Sequence, residues 1–181
     1  MINPYLDEFN KIKDNWNQFT VRNSLVRQYS WAIPNQEAIL YLVSLSPIVE
    51  MGAGTGYWAH LITQAGGDIL AFDKEPHYNL QADYEWTEVL QGEVTRLKST
   101  LVRYPDRTLF LCWAPYNNNF AYRCLKSYKG NKLVVVGEGQ GGCTANDKFF
   151  KLLHKEWEVD KEIDILQYEG VHDYLVGYVR K

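Results

Sequence analysis

The first 46 residues carry apolar positions at the three- and four-residue spacing that is typical of amphipathic helices. Five apolar side chains with this spacing predict a helix near the start of the chain: Tyr5, Leu6, Phe9, Ile12 and Trp16. A second helix is predicted to begin at Pro34, which suits a first helical turn, and to stop before Pro47. The sequence therefore predicts a helical N-terminal extension.

From residue 48 onward, short apolar runs alternate with amphipathic segments of helix length. The runs are apolar at nearly every position and occupy residues 48–51, 69–72, 88–90, 108–112 and 132–136. Such runs suit strands that are covered on both faces, as in a parallel sheet with flanking helices. Helices are predicted at residues 57–65, 94–103, 120–128 and 145–154.

The chain ends with two strand-like stretches, 157–166 and 173–180, which only residues 167–172 separate. This connection is too short for a crossover helix, so the pair is predicted to be an antiparallel hairpin. The predicted fold class is α/β: a doubly wound, seven-stranded, mostly parallel sheet with a C-terminal antiparallel hairpin and a helical N-terminal extension.

Composition restricts the class of protein further. The 181 residues are 46% apolar and carry a formal net charge of −3, which suits one ordinary folded domain and disfavours nucleic-acid binding through bulk positive charge. Three cysteines without paired spacing, and histidines without ligand spacing, predict no metal site. The start of the chain differs from a signal peptide, and no apolar stretch is long enough to span a bilayer. We therefore expect a cytoplasmic protein without a membrane partner.

A glycine-rich loop follows the first predicted strand and opens the first helix after it. Its sequence is Glu50-Met51-Gly52-Ala53-Gly54-Thr55-Gly56. Glycines at such a turn let the backbone turn sharply and approach a ligand closely. Asp73 follows Gly52 by 21 residues and ends the second predicted strand. An acidic residue in that place is positioned to accept hydrogen bonds from two ribose hydroxyls.

This loop with Asp73 resembles the cofactor site of class I S-adenosylmethionine-dependent methyltransferases. The resemblance implies that Glu50 lies near the methionine amino group, that Asp73 holds the ribose, and that Glu93 approaches the adenine amino group. It assigns five further residues to the cofactor: Gly52, Ala53, Gly54, Lys74 and Trp113. The terminal hairpin also matches the family, so the resemblance covers residues 47–181. Residues 1–46 are left as an extension that we expect to act as a lid. Its segment Arg22 to Pro34, which includes Trp31, could instead pack as additional helical surface.

Two other interpretations of the glycine loop remain open. A dinucleotide site usually places its third glycine one residue later, where this chain has Tyr57. Alternatively, the glycines form only a tight strand–helix turn, and the acidic residues are solvated strand ends.

The loop after the fourth predicted strand reads Cys112-Trp113-Ala114-Pro115-Tyr116-Asn117. It looks like a degraded form of the Asp/Asn-Pro-Pro-Tyr motif of methyltransferases that act on the exocyclic amines of bases. Trp113 stands where that motif accepts a hydrogen bond, and an indole side chain cannot accept one. Tyr116 remains a candidate for stacking on the acceptor, or for packing the loop.

Two more residues are candidates for catalysis on the same side of the predicted sheet. Glu138 follows the fifth strand and His172 lies at the hairpin turn. A histidine there could act as a base near neutral pH, and Glu138 could instead fix the glycine-rich loop 137–142. With Tyr116, these residues complete the predicted catalytic set.

The sequence thus predicts a methyltransferase that uses S-adenosylmethionine and acts on an unidentified small molecule or protein side chain. Methyl transfer requires mainly that donor and acceptor be aligned, so no catalytic triad is expected. A nucleic-acid (base amino) methyltransferase is the less favoured alternative, and a non-catalytic scaffold that keeps the fold is another.

Overall fold

The computed structural model describes residues 2–13, 18–74, 84–95 and 98–181; Trp16 of the predicted first helix lies outside these ranges. In the described residues, seven strands form one sheet: β1 Ile48–Met51, β2 Ile69–Asp73, β3 Leu90–Gln91, β4 Thr108–Cys112, β5 Lys132–Gly137, β6 Trp157–Asp164 and β7 Tyr174–Arg180. The strand order is β3–β2–β1–β4–β5–β7–β6. Strands β1 to β5 are parallel, and β7 pairs antiparallel with both β5 and β6. The predicted fold class is confirmed.

Helices cover the sheet on both faces. In the described ranges they are α1 Pro4–Ile12, α2 Gln18–Gln28, α3 Gln36–Ser44, α4 Tyr57–Gln64, α5 Phe120–Ser127 and α6 Asp147–Glu156. None of these helices has the length and apolar character that a bilayer crossing requires.

Local polar groups explain where the structure differs from the predicted helices. Helix α3 begins at Gln36 rather than Pro34, because the Asn35 side chain caps it by accepting the N–H of Ala38 at 2.8 Å. The predicted helix at 94–103 is wrong. Of the described residues in that segment, 94–95 and 98–103, only Thr100–Arg103 is helical, as a single 3-10 turn, and Val94 forms a β-bridge with Ser99.

The N-terminal helices share a core with the sheet. One buried cluster contains Tyr5 and Phe9 of α1 together with Trp58 of α4 and Phe110 of β4. The Tyr57 hydroxyl donates to Asn3 Oδ1 at 2.7 Å, which ties the start of α1 to α4. Residues on α1 are thus packed into this face of the molecule, while the division at residue 46 and the lid role stay predictions.

A second buried cluster occupies the other face of the sheet. It joins Val49 of β1 and Leu109 of β4 to Leu125 of α5 and Phe149 of α6. With both faces covered, the open edge for a ligand lies at the carboxyl ends of the parallel strands, where the order reverses between β1 and β4.

Candidate functional site

A cavity of about 680 Å³ opens at the carboxyl ends of the central strands. This volume falls within the range of about 300–1,000 Å³ that is usual for small-molecule sites. All eight residues that the sequence assigned to a cofactor line the cavity: Glu50, Gly52, Ala53, Gly54, Asp73, Lys74, Glu93 and Trp113. The fold thus gathers residues from the ends of β1, β2, β3 and β4 around one space.

The glycine loop after β1 has a backbone that requires glycine at Gly52. Its φ is +81°, and a Cβ there would lie 3.2 Å from the ring of Phe120 on α5. The N–H groups of Gly52 and Ala53 donate to the Phe72 carbonyl at 2.8 and 3.1 Å. The Gly54 N–H donates to Asp73 Oδ2 at 3.1 Å. These three amides are therefore used to hold the loop against β2.

Glu50 is the most unusual polar group of the cavity. It is 1% exposed, and its Oε2 has no hydrogen-bond partner among the described residues. Burial, together with the nearby Asp73, raises the pKa of Glu50 to about 8. The side chain is thus protonated at neutral pH in the free protein. A cation in the cavity would supply the partner that Oε2 lacks.

The two other acidic residues of the cavity are held at the ends of neighbouring strands. Asp73 closes β2, and its carbonyl accepts the Gly92 N–H at 2.7 Å. The next residue, Glu93, is fixed by its own N–H, which donates to Thr100 Oγ1 at 2.9 Å. The 3-10 turn that replaced the predicted helix therefore positions Glu93 at the cavity.

Trp113 forms a wall of the cavity together with Trp31 of the N-terminal segment. The two indoles stack with centroids 5.1 Å apart and planes 19° apart. The Trp113 backbone has a φ of +48°, and its indole N–H donates to both oxygens of buried Asp173, at 2.9 and 2.8 Å. Sequence reasoning identified Trp113 as unable to accept a hydrogen bond, but it did not identify Asp173 as the acceptor for its N–H.

Arg22 reinforces this wall from behind. Its guanidinium carbon lies 5.3 Å from the ring centroid of Trp31, 5.7 Å from that of Trp113 and 5.3 Å from that of Tyr168. A guanidinium over three aromatic rings is attracted to their negative faces. The sequence singled out Arg22 and Trp31 as parts of a lid, but nothing in it indicated the contact with Tyr168.

The three predicted catalytic residues are not among the residues that line the cavity. Tyr116 is 68% exposed, although its neighbours Ala114 and Pro115 do line the space. The ring of His172 is also solvent-exposed, and its Nδ1 lies 3.7 Å from Glu138 Oε1. The structure thus places His172 beside Glu138, and neither residue belongs to the cavity lining.

Glu138 bonds to backbone instead of facing the cavity. Its carboxylate accepts the N–H of Cys143 at 2.6 Å and that of His172 at 3.0 Å. Partial burial raises the pKa of Glu138, but these N–H donors outweigh it and lower the pKa below the ordinary value. The geometry is that of a carboxylate which fixes the glycine-rich loop after β5. Among the described residues, no group of three or more His, Cys, Asp or Glu side chains is arranged to hold a metal ion.

Comparison with known proteins identifies the class of fold. No protein-family model and no curated protein matches the chain. Magnesium protoporphyrin IX methyltransferase from Synechocystis PCC 6803, solved with bound SAH, is 11% identical, with a TM-score of 0.56 over 97% of this chain and 94% of that one. The same enzyme with bound SAM gives a TM-score of 0.54 at 9% identity, over 100% of this chain and 99% of that one.

A third similar structure is Sp1610 of Streptococcus pneumoniae, a proposed tRNA (m1A22) methyltransferase. It is 11% identical and has a TM-score of 0.52, over 81% of this chain and 71% of that one. The chain therefore has the fold of class I S-adenosylmethionine-dependent methyltransferases. At such identities the likeness defines the fold alone.

Proposed function

We propose that this protein binds S-adenosylmethionine in the cavity and transfers its methyl group to a small molecule or a protein side chain. The observation that carries the proposal is Glu50, a buried carboxyl near the carboxyl end of the central strand, whose Oε2 has no hydrogen-bond partner among the residues that the structure describes. The similar structures with bound SAM and SAH support the same ligand, at low sequence identity.

Glu50 is suited to hold the ammonium group of the cofactor. An ammonium beside Oε2 would lower the pKa of Glu50 and restore its negative charge, so that both groups gain a partner. A neutral ligand would leave the buried carboxyl as it is. The arrangement therefore selects a cationic amine at this point.

Asp73 and Glu93 are proposed to recognise the nucleoside. Both line the cavity, where Asp73 would accept hydrogen bonds from the two ribose hydroxyls and Glu93 would accept one from the adenine amino group. Gly52 and Gly54 keep the loop close to the ligand because neither carries a Cβ. Lys74 and Trp113 complete the cofactor set that we propose.

The bound cofactor would supply a methyl group that its sulfonium already activates. The chain's part is then to orient the acceptor and to exclude water, for which alignment supplies much of the rate. The Trp31–Trp113 wall is suited to both tasks, since it presents stacked aromatic rings to the same cavity as the glycine loop.

The geometry does not favour a base amino methyltransferase. In such an enzyme the residue at position 113 would accept a hydrogen bond from the amine, whereas the Trp113 side chain is a donor and is already engaged with Asp173. A non-catalytic module that only binds the cofactor is distinguished by turnover of labelled SAM.

Isothermal titration of the full chain with S-adenosylhomocysteine tests the proposal. We expect saturable binding, weakened about tenfold or more by Asp73→Asn, because a ribose diol loses its charged acceptor. The matched control is Glu158→Gln, an exposed carboxyl of β6 that does not line the cavity. Absence of heat and of any thermal shift at millimolar ligand would overturn the proposal.

A further inference from the structure

The carboxylates and the guanidiniums that line the cavity come from different parts of the fold. The carboxylates come from the ends of β1, β2 and β3, as Glu50, Asp73 and Glu93. The lining residues from the N-terminal segment and from 112–123 include no carboxylate and contribute two guanidiniums, Arg27 and Arg123. The ends of the strands also supply one cation, Lys74, whereas the N-terminal segment and residues 112–123 supply only positive charge, which suits an anionic ligand.

The two arginines are available to a ligand. Both side chains are exposed, and neither makes an ion pair with another residue in the part of the chain that the structure describes. They share the cavity with the stacked indoles of Trp31 and Trp113. A guanidinium beside an aromatic surface recognises a planar molecule that carries a carboxylate.

In the part of the chain that the structure describes, no histidine lines the cavity. The predicted candidates Tyr116, Glu138 and His172 do not line it, and the three carboxyls that do are assigned to the cofactor by the proposed function. An acceptor whose nucleophile is already an anion needs no base at all. The two guanidiniums of the cavity and the chemistry of methyl transfer without a base thus both favour an anionic acceptor.

We infer, on the basis of the proposed function, that the acceptor is a small planar carboxylic acid, bound against the Trp31–Trp113 wall by Arg27 and Arg123 and methylated on its carboxylate. A carboxylate oxygen forms a bond to the methyl carbon while the carbon–sulfur bond breaks and its electron pair stays on sulfur. The negative carboxylate and the positive sulfonium give a neutral methyl ester and a neutral thioether. No proton has to be removed.

Three probes with one ring system and different charges test this inference. Indole-3-acetate, indole-3-acetamide and tryptamine are titrated into the full chain that is saturated with S-adenosylhomocysteine. We expect the acetate to bind about tenfold more tightly than the amide, because only the acetate can form a charge-assisted hydrogen bond with a guanidinium. Tryptamine, which is a cation, should bind least. Equal affinities, a preference for the amine, or no binding of any probe to the SAH complex would overturn the inference.

Substitution of each arginine distinguishes a role in binding the acceptor from a role in binding the cofactor. Arg27→Gln and Arg123→Gln are each expected to reduce the preference for acetate over amide and to leave the affinity for SAH unchanged. Weaker SAH binding with an unchanged preference would assign that arginine to the cofactor and overturn its role in the inference. The exposed Arg103, which does not line the cavity, gives the matched control Arg103→Gln. If neither variant changes the preference for the acid, the inference is wrong.

The product provides a second, independent readout. A methyl ester releases labelled methanol in mild alkali, whereas methylated amines and ethers keep their label. With labelled SAM and a panel of aromatic carboxylic acids, we expect base-labile label that requires the acid. Label that survives alkali would overturn the inference and leave the proposed function intact, while absence of SAH binding would remove both.

Discussion

The indole N–H of Trp113 donates to both carboxylate oxygens of Asp173, at 2.9 and 2.8 Å. Trp113 follows β4 and Asp173 precedes β7, so the contact reaches from the central sheet to the terminal hairpin. It holds a residue whose φ is +48°, and through the stacked Trp31 it also holds the N-terminal segment at the cavity. A buried carboxylate thus fixes an aromatic wall that it does not itself form.

Substitution of Asp173 is expected to change the pH dependence of stability. Burial raises the pKa of Asp173 to about 6, from an ordinary value of 3.8, although the Trp113 hydrogen bond lowers it. Between these pH values the unfolded chain binds fewer protons than the folded one, so Asp173 makes stability fall as pH rises. Asp173→Asn should remove this fall from the free energy of unfolding, measured by urea titration between about pH 4 and 6.

The same substitution at an exposed aspartate, Asp164→Asn, is the control for Asp173→Asn. Asp164→Asn changes an exposed carboxyl for which the structure shows no side-chain hydrogen bond in the described residues. The free energy of unfolding of Asp164→Asn should differ from that of the wild type by nearly the same amount at every pH in this range. If Asp173→Asn behaves in the same way, Asp173 is already ionised throughout that range and our interpretation of its burial is wrong.

Ligand binding is expected to expel a proton from Glu50. The pKa of Glu50 is about 8 in the free protein, so the carboxyl is mostly protonated at pH 7. An ammonium beside it would lower that pKa, and the bound state would then hold fewer protons than the free state. Calorimetry with SAH in two buffers of different ionisation enthalpy should report release of about one proton at pH 7, and the affinity should rise with pH up to about 8.

The isosteric variant Glu50→Gln provides the control for this linkage. It cannot ionise, so binding should be weaker and should release no proton from this site. Proton release that persists unchanged in Glu50→Gln would show that another group titrates, and would remove Glu50 from the proposed ammonium site.

Gly56 is expected to tolerate no side chain. Its φ is +74°, and a Cβ would lie 2.9 Å from Cγ2 of Thr87 and 3.0 Å from Cγ2 of Val89. Gly56→Ala should therefore lower the free energy of unfolding by about 2 kcal/mol or more, since steric overlap adds to the strain of the left-handed backbone. Urea titration measures the change.

Gly66 separates the two causes of that loss. Its φ is +90°, but a Cβ there would meet no atom of the described residues within 4 Å. Gly66→Ala should show backbone strain alone, about 1–2 kcal/mol. If Gly56→Ala and Gly66→Ala lose the same free energy of unfolding, Thr87 and Val89 do not pack tightly against Gly56, and this prediction is wrong.

Much of the fold could be predicted because its signals are local. Apolar runs covered on both faces and a short final connection specify the parallel strands and the hairpin, and the glycines with Asp73 indicate the sheet edge at which the cavity opens. The 94–103 segment was mispredicted because its apolar spacing suits a helix, while the Glu93 N–H bond to Thr100 turns the chain back instead.

The wall of the cavity could not be predicted in the same way. Trp31, Trp113 and Asp173 are far apart in sequence, and their contacts depend on how the N-terminal segment lies over β4 and β7. Sequence position placed Glu138 correctly after β5 but could not indicate that its carboxylate faces two backbone N–H groups. Long-range contacts of this kind leave no periodic signal.

Glu138→Gln is expected to loosen the loop after β5 without affecting the cavity. The net lowering of the Glu138 pKa means that its carboxylate stabilises the fold above the ordinary pKa of 4.5, and that this contribution is lost as pH falls. At pH 7 the substitution should cost about 1–3 kcal/mol of unfolding free energy, because a charged acceptor of two N–H groups becomes a neutral one. Affinity for SAH should match that of the wild type and of Glu158→Gln, since Glu138 does not line the cavity. A folded Glu138→Gln protein that binds SAH normally but has lost methyl transfer would instead place Glu138 in the catalytic machinery, as the sequence first predicted.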